Sequence, residues 1–209
     1  MSKRERKIGL VASGLLACGL LMGLLTFRST PAIAHVVPSP CDFTTGGGFV
    51  FTDKTITDGG NHANFGLVGG CKNGGFFGHV NFVDHDTTGF FAGFHLSSTS
   101  IDGYFEPAPG PPPSGYRDIC GTANTNLPPP YDTGVKFRAR TKDNGEPGIG
   151  VDKFGLKVAK GGASAVIVST RLLAGGNIQL HKPNPSTTGP SVPPDEITAC
   201  GSDDSGLGF

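Results

Sequence analysis

Oxygen donors are concentrated at Asp143, Asn144, Glu146 and Asp152, three carboxylates and one amide within ten positions of a glycine- and proline-rich loop. Ca²⁺ takes roughly six to eight oxygen ligands and accepts them from a flexible loop, so these four side chains form a candidate calcium site, although not at EF-hand spacing. The same stretch holds Asn144-Gly145 and Pro147-Gly148, turn signals that explain it equally well as a hairpin loop with solvated acids. On either side lies a basic stripe of Lys136, Arg138, Arg140, Lys142, Lys153 and Lys157. Val135, Phe137, Ala139 and Thr141 alternate with the first four of these cations, the period-two pattern of a strand with one face in the core. The stripe is expected on an exposed sheet face as a candidate anion-binding surface for a surface glycan, lipid headgroups or an envelope protein. Its alternative is a solvated face guarded by charge against edge-to-edge aggregation. Phe137 falls on the opposite parity, so no aromatic residue interleaves with the cations on their own face, which argues against nucleic acid.

Histidine and serine offer less. In the hairpin register that pairs Ala63 with Val80, His62 and His79 become diagonal neighbours on one face, placed to share a transition metal. His85 lies six residues beyond His79, roughly 20 Å along an extended strand, so a third ligand is missing. A metal-dependent hydrolase is therefore only an alternative function. Ser97, Ser98 and Ser100 sit near His95 without a GxSxG elbow. Asp84, Asp118 and Asp132 are read as solvated loop acids, because nothing in the sequence sets two of them facing each other across a cleft. The expectation is a chain that is not an enzyme and needs no cofactor, calcium apart.

The elements that position these residues begin after a leader. Lys3, Arg4, Arg6 and Lys7 precede an apolar run from Ile8 to Phe27 and the small-residue site Ala32-Ile33-Ala34, so residues 1–34 read as a signal peptide cleaved after Ala34. An uncleaved N-terminal membrane anchor and lipidation at Cys18, in Leu15-Leu16-Ala17-Cys18, are the lesser alternatives. The expected location is extracellular or periplasmic. Removing the leader's five basic residues and one acidic residue leaves 12 Lys+Arg against 16 Asp+Glu, a net charge of −4 that disfavours nucleic acid as a partner.

Glycine (34) and proline (17) break the mature chain into short runs rich in Phe, Val, Ile and Thr, with no three-residue collagen period. That pattern predicts an all-β fold, an antiparallel β-sandwich or barrel of about nine short strands. The strands are expected near 47–52, 61–68, 75–83, 90–101, 116–123, 133–142, 152–160, 164–173 and 176–181, in one domain over 35–182. The predicted core is Phe49, Phe51, Ala63, Phe65, Leu67, Phe76, Val80, Phe82, Val135, Phe137, Phe154, Leu156, Ile178 and Leu180. Residues 183–209, rich in Pro, Ser, Thr, Gly and Asp, read as an extended or disordered tail. Cys41, Cys71, Cys120 and Cys200 suggest two disulfides in an exported chain. If the first two strands pair antiparallel, Cys41 comes beside Cys71, leaving Cys120 to hold the tail through Cys200.

The runs GGGFVF (Gly46 to Phe51), NFGL (Asn64 to Leu67), FGHVNFVDH (Phe77 to His85), DNGEPG (Asp143 to Gly148) and GGNIQLHK (Gly175 to Lys182) carry a resemblance. They resemble secreted bacterial β-rich proteins of unassigned function, similar in their C-terminal half to the domain that follows choice-of-anchor modules in bacterial surface proteins. This resemblance implies an exported, non-catalytic β-module. The expected function is a cell-envelope or extracellular binding or structural domain, with self-assembly through edge strands as a second reading.

Overall fold

The computed structural model describes residues 35–52, 61–88 and 91–209. The expected leader, and residue 90 at the start of the fourth expected strand, lie outside the described residues. Nine antiparallel strands form one sheet: β1 (Phe43–Phe51), β2 (His62–Lys72), β3 (Gly75–Asp84), β4 (His95–Phe105), β5 (Gly115–Thr125), β6 (Val135–Asp143), β7 (Lys153–Lys160), β8 (Ala163–Leu172) and β9 (Gly175–His181). Their order across the sheet is β8-β7-β6-β5-β4-β3-β2-β1-β9, a meander to which the last strand is added beside the first. A five-residue helix, α1 (Glu196–Cys200), follows.

Chain connectivity forces this sheet to curl. Nine strands laid flat would hold β8 and β9 roughly 38 Å apart at about 4.8 Å per strand. Only Leu173 and Ala174 join Leu172 to Gly175, a reach of about 11 Å at most. The sheet therefore bends into a half-barrel, and its two edges meet at this link. Leu173 N–H donates to Asp152 O and Ala174 N–H to Phe49 O, both at 2.9 Å, fixing the junction between β7 and β1. Arg171 on β8 reaches across to the carbonyls of Phe51 and Thr52.

Two-residue turns set the registers. Asn73 and Gly74 take φ of 52° and 84°, the left-handed pair of a type I′ hairpin between Lys72 and Gly75. This turn pairs Ala63 with Asp84, four residues from the register expected from the apolar pattern.

The concave face holds the core, in which Ala63, Phe65, Leu67, Val80, Phe82, Val135, Phe137, Phe154, Leu156, Ile178 and Leu180 are buried as expected. Phe65 stacks on Phe154 at 4.1 Å between centroids, joining β2 to β7 through the interior. The parity of β1 is the reverse of the expected one. Val50 enters the core, while Phe49 and Phe51 are half-buried on the opposite face. Phe49 covers Gly175 there, where even a Cβ would lie 2.2 Å from its ring. Phe76 only flanks the core.

The segment after β9 crosses the convex face. Asp195 caps α1 by accepting from Thr198 N–H, and Gly201, at φ 80°, ends it with its N–H on Ile197 O. Disulfides join Cys41 to Cys71 and Cys120 to Cys200, the expected pairing. No helix of the described residues is long and apolar enough to cross a membrane.

Candidate functional site

Strands β6 and β7 place the basic stripe on the convex face, as the alternation predicts, but that face does not meet water at its centre. Arg138 and Arg140 are 0% exposed and Lys157 is 3% exposed. Antiparallel pairing sets Asp118 of β5 opposite Arg140, and Cys120 opposite Arg138. Asp118, itself 0% exposed, accepts from Arg138 Nη1 at 2.7 Å and from Arg140 Nε and Nη2 at 2.8 Å. It is thus a buried sheet residue rather than the solvated loop acid expected.

The C-terminal segment supplies the rest of the cover. Glu196 accepts from Arg138, Asp204 from Arg140 Nη2 at 2.8 Å, and Asp203 from Lys157 Nζ at 3.0 Å. Phe209 lies 4.6 Å from the Arg140 guanidinium and edge-on to Tyr116. Burial disfavours the charge on Arg140, but Asp118 and Asp204 outweigh that cost and hold its pKa above the ordinary value. Burial pushes the Asp204 carboxyl up, and the Arg140 guanidinium more than reverses this, leaving it lowered. Asp203 is depressed to about 2 by the Ser205 hydroxyl and then by Lys157. The stripe is therefore not the exposed anion-binding surface expected: Arg138, Arg140 and Lys157 are buried against the chain's own acids. Of the remainder, Lys136 pairs with Asp102 at 2.7 Å, Lys142 sits over the Tyr116 ring and Lys153 is half-buried at the start of β7.

The acidic loop is engaged as well. Asp143 Oδ1 accepts from Gly145 N–H and Oδ2 from Leu180 N–H, while Asp152 Oδ1 accepts from Asn144 N–H and Oδ2 from Ile178 N–H. Ile178 and Leu180 share the edge of β9 that faces away from β1, so two buried carboxylates cap that edge and fasten it to the β6–β7 turn. Burial, and then the neighbouring Asp152 charge, push the Asp143 carboxyl up against the backbone bond from Leu180. Glu146 accepts from the Asn177 amide. Gly148 is required here, because a Cβ would lie 2.0 Å from Asp152 Oδ2. All four aspartate oxygens accept from backbone N–H groups, and among the described residues Asp143, Glu146 and Asp152 do not bring their carboxylates together within 4.8 Å as a three-ligand cluster, so the expected calcium site of Asp143, Asn144, Glu146 and Asp152 is not assembled.

The histidines are rearranged by the β2–β3 register. His62 stacks on His85 at 4.8 Å between centroids, and His79 lies elsewhere, opposite Val68. The expected His62–His79 pair is not formed. His79 Nδ1 instead lies 2.9 Å from Ser98 Oγ, which also accepts from Val80 N–H where the β3–β4 ladder ends. Among the described residues no carboxylate orients the other ring nitrogen of His79. His35, Asp118 and Glu196 bring potential ligand atoms within 4.8 Å of one another, but Arg138 and Arg140 occupy both Asp118 oxygens.

Two features carry little sequence signal. Inside the half-barrel, Arg117 forms a two-pronged pair with Asp42 at 3.0 and 2.6 Å, and Tyr104 OH donates to the same carboxylate. The second is a cavity of about 380 Å³ at the Ala163 end of β8. Phe91, Phe94, Leu127, Val135, Val158 and Ala165 form its walls, and Pro128, Pro129 and Tyr131 its rim. Of its polar side chains, the Thr125 hydroxyl donates to Tyr131 O and Lys160 Nζ to Thr133 O, while Ser164 also lines it. Of the wall residues only Val135 belongs to the expected core, and the alternation gives no sign that they enclose space. No protein-family model, curated protein or solved structure matches this chain.

Proposed function

We propose that this chain is an exported, non-catalytic β-domain that binds a small apolar molecule, or the apolar tail of a larger one, in the open end of the half-barrel. The cavity of about 380 Å³ is the observation that carries this reading. Its volume falls in the range of small-ligand pockets, and an apolar guest would dehydrate its largely apolar walls. Two disulfides support an oxidising compartment, and Ala32-Ile33-Ala34 supports export. The resemblance to secreted β-proteins favours the same setting.

The competing surface readings have less support. An anionic polymer would find the centre of the basic face already neutralised. Edge-strand assembly would have to displace Asp143 and Asp152 from β9, and Leu207 O from Thr170 N–H on β8.

Titration with 8-anilinonaphthalene-1-sulfonate, followed by displacement with alkyl alcohols of increasing length, tests the proposal. Saturable binding of one probe per chain that disappears in Ala165→Phe, with melting unchanged, is expected. Equal binding by that variant would remove the cavity as the site.

A further inference from the structure

The residue that follows Ala32-Ile33-Ala34 is His35, and its main-chain nitrogen points into the charged cluster of the convex face. That N–H donates to Glu196 Oε2 at 2.8 Å, while His35 Nδ1 lies 2.8 Å from Oε1. The adjoining backbone is fixed by a bridge between Val36 and Glu106. Both His35 and Glu196 have side chains less than a tenth exposed.

The charges facing this nitrogen do not balance. Asp118 on β5, Glu196 on α1 and Asp204 beyond it supply three carboxylates, and Arg138 and Arg140 on β6 supply two guanidinium groups. Lys157 on β7 is matched separately by Asp203; Glu106, just after β4, lies 3.4 Å from Arg117, which also pairs with Asp42. A carboxylate without a full counter-charge is costly in so dry a place. A peptide N–H at His35 offers only a dipole.

We infer that cleavage after Ala34 creates the missing cation, so that the mature N-terminal ammonium of His35 is a buried ion-pair partner of Glu196. A leader peptidase adds water across the Ala34–His35 bond; Ala34 departs as a carboxylate, and the His35 nitrogen keeps its electron pair and gains protons to become ammonium. Three carboxylates then face three cations. The processed domain is more stable than its precursor, and the C-terminal segment is clasped fully only after the leader has gone.

The full chain, secreted with its own leader, is compared with a version carrying Gly-Ser inserted between Ala34 and His35. Intact mass and N-terminal sequencing are expected to place the natural terminus at His35. The insertion moves the ammonium two residues away and keeps every other group, and should lower Tm at pH 7 by about 2–4 °C, the difference between a charge-assisted bond and a neutral one. In the natural protein the α-amino group should titrate at least about one pH unit above its usual value near 8, and return to it in the insertion variant and in Glu196→Gln. A group whose pKa is raised by folding adds stability below its unfolded pKa and loses it as pH rises through the folded one. The gap between the two proteins should therefore close above about pH 9. A terminus elsewhere, equal melting of the two proteins, or an α-amino group titrating near 8 would overturn the inference.

Discussion

Replacing Asp118 with Asn is the most informative single change to the convex face. Asp118 receives three bonds from Arg138 and Arg140, and all three side chains are fully buried. The amide keeps the shape of the carboxylate but withdraws the charge that both guanidinium groups face. Removing one partner from a buried ion pair costs about 3–5 kcal/mol, a large share of the roughly 5–15 kcal/mol that holds a domain together. At about 2–4 °C per kcal/mol for a chain of this size, Tm should fall by about 6–20 °C. Asp102→Asn is the reference, since it breaks a comparable 2.7 Å contact to Lys136 that is about one-third exposed, and it should cost about 1 kcal/mol or less. Thermal and urea unfolding of both variants, read by circular dichroism, give the comparison. If Asp118→Asn melts within about 2 °C of Asp102→Asn, the basic stripe is not the buried, internally neutralised cluster described above.

Other outcomes follow from the same geometry. Asp152→Ala strands the N–H groups of Asn144 and Ile178 and should cost about 2–5 kcal/mol, measured by urea unfolding; a cost below about 1 kcal/mol would dismiss the clasp on β9. Because the oxygens of Asp143 and Asp152 already accept backbone bonds, Tm should be the same in Ca²⁺ and in EGTA, and a rise with Ca²⁺ would reinstate the loop as a site. Asp203 and Asp204 have depressed pKa values, so the stability they confer is full above about pH 4 and lost as pH falls through the folded values, about 2 for Asp203. Asp143, raised by burial, has the opposite sign and is relieved by acid. Hydrogen exchange between pH 4 and 2 should therefore open residues 196–209 before β9, and the reverse order would refute this assignment. Cys120→Ser with Cys200→Ser opens a loop with a sequence separation of 80 and should cost about 4–5 kcal/mol, against about 3–4 for the Cys41–Cys71 pair, whose separation is 30.

The sequence made the strands legible because short β-branched and aromatic runs between glycine and proline breaks have few other solutions. It also showed that Arg138, Arg140 and Lys157 share a face. Alternation says which residues lie together, however, and not whether that face meets water. The cover came from a segment whose composition reads as unable to fold by itself; it is held by Cys120–Cys200 and by Glu196, Asp203 and Asp204. Those three acids, set around Cys200, were the available sign of complementarity. The histidine pairing failed for a smaller reason. Asn73-Gly74 is a strong two-residue hairpin signal that fixes Lys72 opposite Gly75, and the apolar pattern alone was four residues out. In β1 the larger Phe49 and Phe51 suggested the core face, yet both lie on the outer face, where Phe49 covers Gly175 of the neighbouring strand, while the smaller Val50 points inward. The cavity could not be read at all, since enclosed space depends on how β8 and the 127–131 loop diverge.

Native mass spectrometry of the secreted protein with a long-chain alcohol tests the apolar binding site proposed at the Ala163 end of β8 most directly. One ligand per chain, lost in Ala165→Phe and retained in Asp102→Asn, is the result expected. No bound ligand, or the same occupancy in all three proteins, would contradict it.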